Sequence, residues 1–336
     1  MKVLVLGGAG YIGSVLCSYL QNEGDKVTIY DNLMYEKGNT LNTPCYFINA
    51  DIRDLEQLEE AIRDTDAVVH LAAMSNDPAS ELNPNLAWDI NYLANKNIAR
   101  LCRQYGKRII YASSCSVYGF SLEKVFDEKS ELGPVTLYAR SKMYSESVFL
   151  APGVDGICLR FATVYGAAPK PRFDLVVNTM VGTGHFTKKL TINGGEQWRP
   201  IVHVRDVAQA IRLALHAAKP AHRVYNVGFN EQNYRITDLG RLIGERMPDV
   251  EVIENPASAD KRSYRANFDL IANDLGFKAR YNVADAVAEL REAFTSGAVK
   301  SMSDDVYFRV KYLKKHPVEN KRAVKQAMRQ IAGYRF

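Results

Sequence analysis

Met1-Lys2-Val3-Leu4-Val5-Leu6-Gly7-Gly8-Ala9-Gly10-Tyr11-Ile12-Gly13 opens the chain, and the reading of this stretch decides the fold. The apolar run Val3–Leu6 predicts a strand starting almost at the first residue, and the segment Ile12–Gln21 has helical periodicity. Between them Gly7, Gly10 and Gly13 form a GxxGxxG turn. Positions without side chains let the turn tighten and let backbone N–H groups approach a pyrophosphate at the positive end of the helix. Asp31 follows a second predicted strand, Val27–Tyr30, and stands 18 residues beyond Gly13. A carboxylate there accepts hydrogen bonds from adenosine ribose hydroxyls and repels a 2′-phosphate, so NAD is expected rather than NADP.

Working outward, the alternation continues. Strands are predicted at Tyr46–Asn49, Ala67–Leu71, Arg108–Ala112 and Gly156–Arg160, and helices at Leu55–Arg63, Leu86–Tyr105 and Ala139–Leu150. Strand–helix–strand repetition with right-handed crossovers predicts an α/β fold with a doubly wound parallel sheet of the Rossmann type over residues 1–165. Asp51-Ile52 ends the third strand, where a carboxylate can meet an adenine amino group or cap the next helix. Leu71-Ala72-Ala73 ends the fourth, where small residues allow close passage of phosphates or simply pack. After about residue 166 the character changes. Ala167–Arg172 is rich in proline and basic residues, Gly194–Pro200 reads as a loop, and short strands mix with helices. A smaller mixed α/β substrate lobe is expected over 166–299, interleaved with returns to the main sheet near 201–230.

The chain has 336 residues, 47% of them hydrophobic and 24% charged, which excludes collagen-like and disordered classes. No apolar run is long enough for a membrane span. Five scattered cysteines without a CxxC pair argue against a disulfide framework and for a reducing cytoplasm. The six histidines form no HxxxH or HxH pair, so no metal site is expected. The net charge of +5 is local: in 300–336, Lys311, Lys314, Lys315, Lys321, Arg322, Lys325, Arg329 and Arg335 outnumber Asp304, Asp305 and Glu319. Such a run reads as a solvated, partly mobile C-terminal helix whose deletion should leave turnover largely intact, rather than as a nucleic-acid patch.

Tyr138-Ala139-Arg140-Ser141-Lys142 puts a phenol and an ammonium on one helix face. A tyrosine near pKa ~10 is a poor base at neutral pH, and an adjacent lysine together with a positively charged nicotinamide is expected to pull that value down. Ser113-Ser114 follows the fifth strand, at the carboxyl edge where doubly wound sheets bind ligands. A serine there can hold a substrate hydroxyl against the tyrosine while hydride leaves for a cofactor.

Gly7–Gly13, Asp31-Asn32, Asp51-Ile52-Arg53, His70-Leu71-Ala72-Ala73, Ser113–Gly119, Tyr138–Lys142, Leu159-Arg160-Phe161 and Arg199–Val207 occur in one order. Together they resemble the extended short-chain dehydrogenase/reductases, in the NAD-dependent nucleotide-sugar epimerase/dehydratase family, over roughly residues 1–295. The resemblance implies a catalytic set of Ser114, Tyr138 and Lys142. It implies NAD contacts from Tyr11, Ile12, Asp31, Asn32, Asp51, Ile52, Leu71, Ala72, Ala73 and Asn91. It puts Arg199 on the substrate diphosphate, with Ser75, Ser116, Asp174, Leu175, Thr191, Asn193 and Asp260 in the same pocket and Arg172 and Arg262 as further anion partners. A homodimer through a four-helix bundle, built from the helices near 86–105 and 139–150, is also implied.

Two departures bear on the reaction. Where the family's 4,6-dehydratases carry an Asp-Glu pair, Cys115-Ser116 stands here, and neither side chain protonates a departing hydroxide as a carboxylic acid does. Thr163 replaces an asparagine that contacts substrate phosphate in many members. The stretch 163–178 is similar to a branch that oxidises C4 of GDP-heptoses. The expectation is therefore an NDP-sugar 4-epimerase with tightly held NAD. A net 4-dehydrogenase or 4-ketoreductase is the alternative, and a non-catalytic NAD- or RNA-binding protein the remaining one.

Overall fold

The computed structural model describes residues 1–35, 44–255 and 263–318. The first half runs β1 (Lys2–Leu6), α1 (Tyr11–Asn22), β2 (Lys26–Asp31), β3 (Tyr46–Asn49), α2 (Leu55–Arg63), β4 (Ala67–His70), α3 (Asp77–Leu82) and α4 (Pro84–Trp88). A π turn over Asp89–Leu93 joins α4 to α5 (Ala94–Gln104), followed by β5 (Arg108–Ser114), β6 (Val125–Phe126), α6 (Leu137–Phe149) and β7 (Gly156–Phe161). Then come β8 (Thr163–Tyr165), α7 (Val176–Thr187), β9 (Lys189–Asn193), β10 (Trp198–His203), α8 (Val204–His216) and β11 (Val224–Val227). The chain closes with β12 (Asn233–Arg235), α9 (Ile236–Glu245), β13 (Glu251–Asn255), β14 (Arg265–Ala266), α10 (Asp269–Leu275), α11 (Val283–Thr295) and α12 (Arg309–Lys315).

Seven parallel strands form one sheet in the order β11-β7-β5-β4-β1-β2-β3. The interior strands β1, β4 and β7 are buried on both faces, in keeping with runs that are mostly apolar, with His70 and Arg160 as buried polar exceptions. Helices α1 and α8 cover one face through Leu16, Leu20, Val207 and Ile211, and α2 and α5 cover the other through Leu58, Ile62, Ile98 and Leu101. The order reverses between β1 and β4, and the crevice at their carboxyl ends is where such sheets take ligands.

The remaining strands form the mixed lobe: β8 parallel and β12 antiparallel to β10, β9 parallel to β13, and β6 parallel to β14. Residues 198–200, expected in a loop, are instead the start of β10. Strand pairing with Asn233–Arg235 overrides the local proline signal, and the Arg235 and Arg265 guanidiniums lie over the Trp198 ring at 5.3 and 5.0 Å.

The expectation of a solvated tail from residue 300 is corrected through residue 315. Arg309, Tyr312 and Leu313 are buried, and the Tyr312 ring lies tilted 5.8 Å from that of Tyr35 in the N-terminal half. Apolar residues at positions 310, 312 and 313 dominate over the flanking lysines, whose heads remain in solvent. Among the described residues no helix is long and apolar enough to cross a membrane.

Candidate active site

The crevice between the halves encloses about 870 Å³. Its floor is the glycine turn. Gly7 has φ +83°, and a Cβ there would lie 2.6 Å from the Ala72 amide nitrogen, so only glycine lets the β1–α1 turn meet the end of β4. No side chain caps α1 and no acid stands in its first turn, which leaves its positive end open to the crevice. Asp31 closes one end, its carboxylate accepting from the Ala9 and Leu33 N–H groups at 3.1 and 2.9 Å. At the other end Ser116 Oγ is buried without a hydrogen-bond partner among the described residues. An open helix terminus, an acid at the end of β2 and an orphaned hydroxyl are a donor and acceptor set that fits a dinucleotide and a polar substrate.

Of the expected cofactor residues, Gly7, Gly10, Tyr11, Ile12, Gly13, Asp31, Asn32, Asp51, Ile52, Leu71, Ala72 and Ala73 all line this crevice. Tyr11 also spans the halves, its hydroxyl donating to Gly166 O at 2.8 Å. Asp51 is drawn into an ion pair with Arg53 at 2.7 Å and accepts from Asn32 Nδ2 at 3.0 Å. Asn91 is corrected. It is not among the residues lining the crevice, and its amide accepts from the Met74 N–H at 2.8 Å and donates to the Met74 C=O at 3.1 Å. Asn91 therefore fixes the loop after β4 from behind.

Ser75, Ser114, Ser116, Thr163, Arg172, Asp174, Leu175, Thr191, Asn193 and Arg199 also line the crevice, whereas Asp260 and Arg262 lie outside the described residues. Arg172 is pinned to Asp174 at 2.8 Å and to Ser75 Oγ at 3.1 Å. Arg199 rises from β10 beside Tyr264, guanidinium to ring centroid 5.9 Å. Sequence reasoning missed Tyr35, Asn76, Asp77, Tyr264 and Arg309, which share the same walls. Asn76, with φ +82° in a non-glycine residue, caps α3 by accepting from Ala79 N–H, and Asn-Asp-Pro was the available signal for that turn. Arg309 had no local signal.

Tyr138 and Lys142 project from α6, started by Thr136, whose hydroxyl accepts from Ala139 N–H. Lys142 is buried, donates to Ala112 O at 2.6 Å and lies 5.6 Å from the Tyr138 ring centroid. Without a dinucleotide, the surroundings of Tyr138 hold its phenol above the ordinary value. Burial pushes Tyr138 above its ordinary value, Asp77 adds to the rise, and Arg172 is the cation opposing it. Burial also drives the Lys142 amine down to about 7 against the pull of Glu146, so it is a weak source of positive charge.

That shift has a pH consequence. Between about 7 and 10.5 the unfolded chain binds the Lys142 proton and the folded one does not, so folding stability rises with pH across that window. In dinucleotide-free protein, the stability of wild type relative to Lys142→Met should climb with pH from 7 upward, as read from urea midpoints. A difference flat in pH would mean a solvated amine.

Ser114 Oγ accepts from Ser116 N–H at 3.2 Å and retains its proton for donation. Cys115 is turned away, its thiol 3.2 Å from Arg160 O and pushed up by burial, which makes it a packing group. Beneath them Glu146 accepts from Ser113 Oγ and is clamped by Arg160 at 2.9 and 2.7 Å, with Arg160 also donating to Tyr118 OH at 2.8 Å.

A sequence model described as the NAD dependent epimerase/dehydratase family matches residues 3–228. A putative UDP-glucose 4-epimerase of Methanocaldococcus jannaschii is 34% identical over 298 residues, covering 85% of this chain and 95% of that one. Among solved structures, the UDP-glucose 4-epimerase of Thermotoga maritima with UDP-glucose superposes with a TM-score of 0.79 at 26% identity, covering 89% of this chain and 100% of that one. MoeE5 in complex with UDP-glucuronic acid and NAD gives 0.77 at 27% identity, covering 88% and 100%.

Proposed function

Because the chain belongs to the NAD-dependent epimerase/dehydratase family, we propose that it is a nucleoside-diphosphate-sugar 4-epimerase in which Ser114, Tyr138 and Lys142 work on sugar C4. The observation that carries this is the single crevice. Asp31 and the open α1 terminus, the Tyr138–Lys142 pair, and Arg199, Thr191 and Asn193 all line it. That is room for a dinucleotide and a nucleotide sugar face to face.

Asp31 would hold the adenosine ribose, the Gly7–Gly13 turn the dinucleotide phosphates, and Tyr138 and Lys142 the redox end. NAD supplies, when bound, a cationic ring that accepts hydride from sugar C4 and returns it. Tyr138 Oη takes the proton of the C4 hydroxyl and later gives it back, while Ser114 Oγ orients that oxygen. Since burial holds the Tyr138 proton on, the protein alone disfavours a standing phenolate, an effect that the cationic ring of a bound NAD would oppose. Return of hydride to the other face of the 4-keto sugar needs the sugar to turn over, which a crevice of about 870 Å³ accommodates.

Dehydration is disfavoured because a buried, raised thiol at Cys115 and a hydroxyl at Ser116 supply no acid. The test is to incubate the protein with UDP-glucose and other nucleotide sugars and follow products by mass and NMR. An isomer of unchanged mass supports the epimerase. Loss of two hydrogens would favour the 4-dehydrogenase reading instead, and loss of water would overturn both.

The same reading carries a homodimer. The α4–α5 and α6 surfaces present Trp88, Tyr92 and Tyr144 as one ring cluster, with centroids 4.7 to 5.8 Å apart and Tyr144 exposed. Sedimentation reads the mass directly.

A further inference from the structure

At Ala162 the chain passes from β7 of the seven-stranded sheet into β8 of the mixed lobe. Just past β8 stands Gly166, with φ +109°, where a Cβ would lie 2.3 Å from His203 Nε2, so no side chain fits there. One amide takes both polar groups of that glycine. Asn178, the third residue of α7 and 1% exposed, accepts from the Gly166 N–H at 2.9 Å and donates through Nδ2 to Gly166 O at 3.2 Å. The same nitrogen donates to Arg172 O at 3.0 Å and to the Tyr11 hydroxyl at 3.3 Å. Tyr11 completes the ring of bonds, its hydroxyl donating to Gly166 O at 2.8 Å.

We propose that Asn178 is a positioning residue for the chemistry at sugar C4, fixing where the dinucleotide turn stands relative to the loop 166–174 of the substrate lobe. This rests on the reading of the crevice as a site for both NAD and a nucleotide sugar. Tyr11 is the first residue of α1 and lines the crevice, and Arg172 and Asp174 line it from the other half. Asn178 is not among the lining residues, so it acts on the ligands only through these neighbours. From Arg172 the connection continues. Its guanidinium donates to Asp174 at 2.8 and 3.1 Å and to Ser75 Oγ at 3.1 Å, and Asn76 donates to Asp174 at 2.8 Å. The loop is thus tied to the N-terminal half at Tyr11 through Asn178, and at Ser75 and Asn76 through Arg172 and Asp174.

The chemistry of the joint suits that task. An asparagine amide offers an acceptor for one N–H and donors for the three oxygens around it, whereas an aspartate of the same length has no donor and a leucine has neither. The Gly166 N–H fixes which side of the amide carries the oxygen, so the nitrogen faces Tyr11 and Arg172 in one orientation. Every partner is buried with it, and each would be left unpaired if the joint opened. Hydride passes only between ligands held at the right separation, and a misplacement of about 1 Å costs on the order of 10²-fold in rate. With NAD seated on the N-terminal half and the nucleotide sugar on the substrate lobe, a joint between the halves governs that separation without touching either ligand.

The experiment compares full-length wild type, Asn178→Ala, Tyr11→Phe and the double variant, each checked for a cooperative melt. Turnover is measured on the nucleotide sugar, UDP-glucose first, that wild type isomerises; NAD and UDP are titrated separately by calorimetry, and deuterium exchange at the Gly166 amide is followed. Asn178→Ala should lower kcat by about tenfold or more while NAD and UDP affinities stay within about threefold, because each ligand keeps its own half. Its Gly166 amide should exchange faster than that of wild type. Tyr11→Phe keeps the ring and removes only the hydroxyl, so it should lower kcat by a smaller factor, which covers the case of a poorly folding Asn178→Ala. The double variant should lose less than the product of the two single losses, since both changes open one joint. An unchanged kcat in either folded single variant, a loss confined to NAD or UDP affinity, or single losses that simply multiply would overturn the assignment. Absence of turnover by wild type would overturn the proposed function instead, and exchange at Gly166 then decides the joint: protection that survives removal of the Asn178 amide overturns it.

Discussion

Tyr138→Phe should cut oxidation at sugar C4 by roughly 10²–10⁴-fold, the usual contribution of a positioned general base, while dinucleotide binding stays near wild type. The ring is kept, so its place above Lys142 on α6 is unchanged and only the oxygen that carries the proton is lost. The effect belongs in kcat rather than KM, because the phenol's work is done in the transition state. Turnover of the variant within a few fold of wild type, with NAD bound, would remove Tyr138 from its role. The raised phenol adds a second signature. Its titration in dinucleotide-free protein should lie above that of an exposed tyrosine, since burial is the dominant influence on it.

Arg160→Met should lower folding stability by about 3–5 kcal/mol, the cost of leaving a buried charge without its partner. Arg160 and Glu146 are each about 5% exposed or less, 2.7 Å apart, and join β7 to α6 directly under Ser113. After the substitution Glu146 keeps only the Ser113 hydroxyl among these bonds, and Tyr118 OH loses a donor. Adding Glu146→Gln should recover part of the loss, since a neutral amide tolerates that environment better. Urea unfolding of the two single variants and the double variant measures all of this. A change under about 1 kcal/mol for Arg160→Met would mean the pair is solvated and far weaker than its geometry implies.

Much of this molecule was legible in one dimension. The seven-stranded sheet and its helices follow from local period and turn chemistry, which act over a few residues. The Gly7–Gly13 turn, Asp31 and the Tyr138–Lys142 pair share that property: each is a short motif whose geometry its own element fixes. Where neighbours in space decide, the sequence misled. Asn91 lay on the right helix, but a π turn and the Met74 backbone claimed its amide. Tyr138 was expected to be acidified by Lys142 together with a bound nicotinamide; without the dinucleotide burial outweighs the one nearby amine, because pKa depends on the summed surroundings.

Residues 300–315 make the sharpest division. By composition they are a basic tail, and the lysines there stay exposed, Lys311 lying over the Phe308 ring and Lys315 pairing with Asp305. What the chain's order of residues could not reveal is that Tyr35, Phe173 and Asp174 leave a seat for Tyr312, Tyr307 and Arg309. Local periodicity and turn residues determined the sheet, the nucleotide turn and the paired phenol and amine. Only tertiary packing decided which charges are desolvated and which distant segment closes the crevice, because burial and long-range contact are properties of the folded whole.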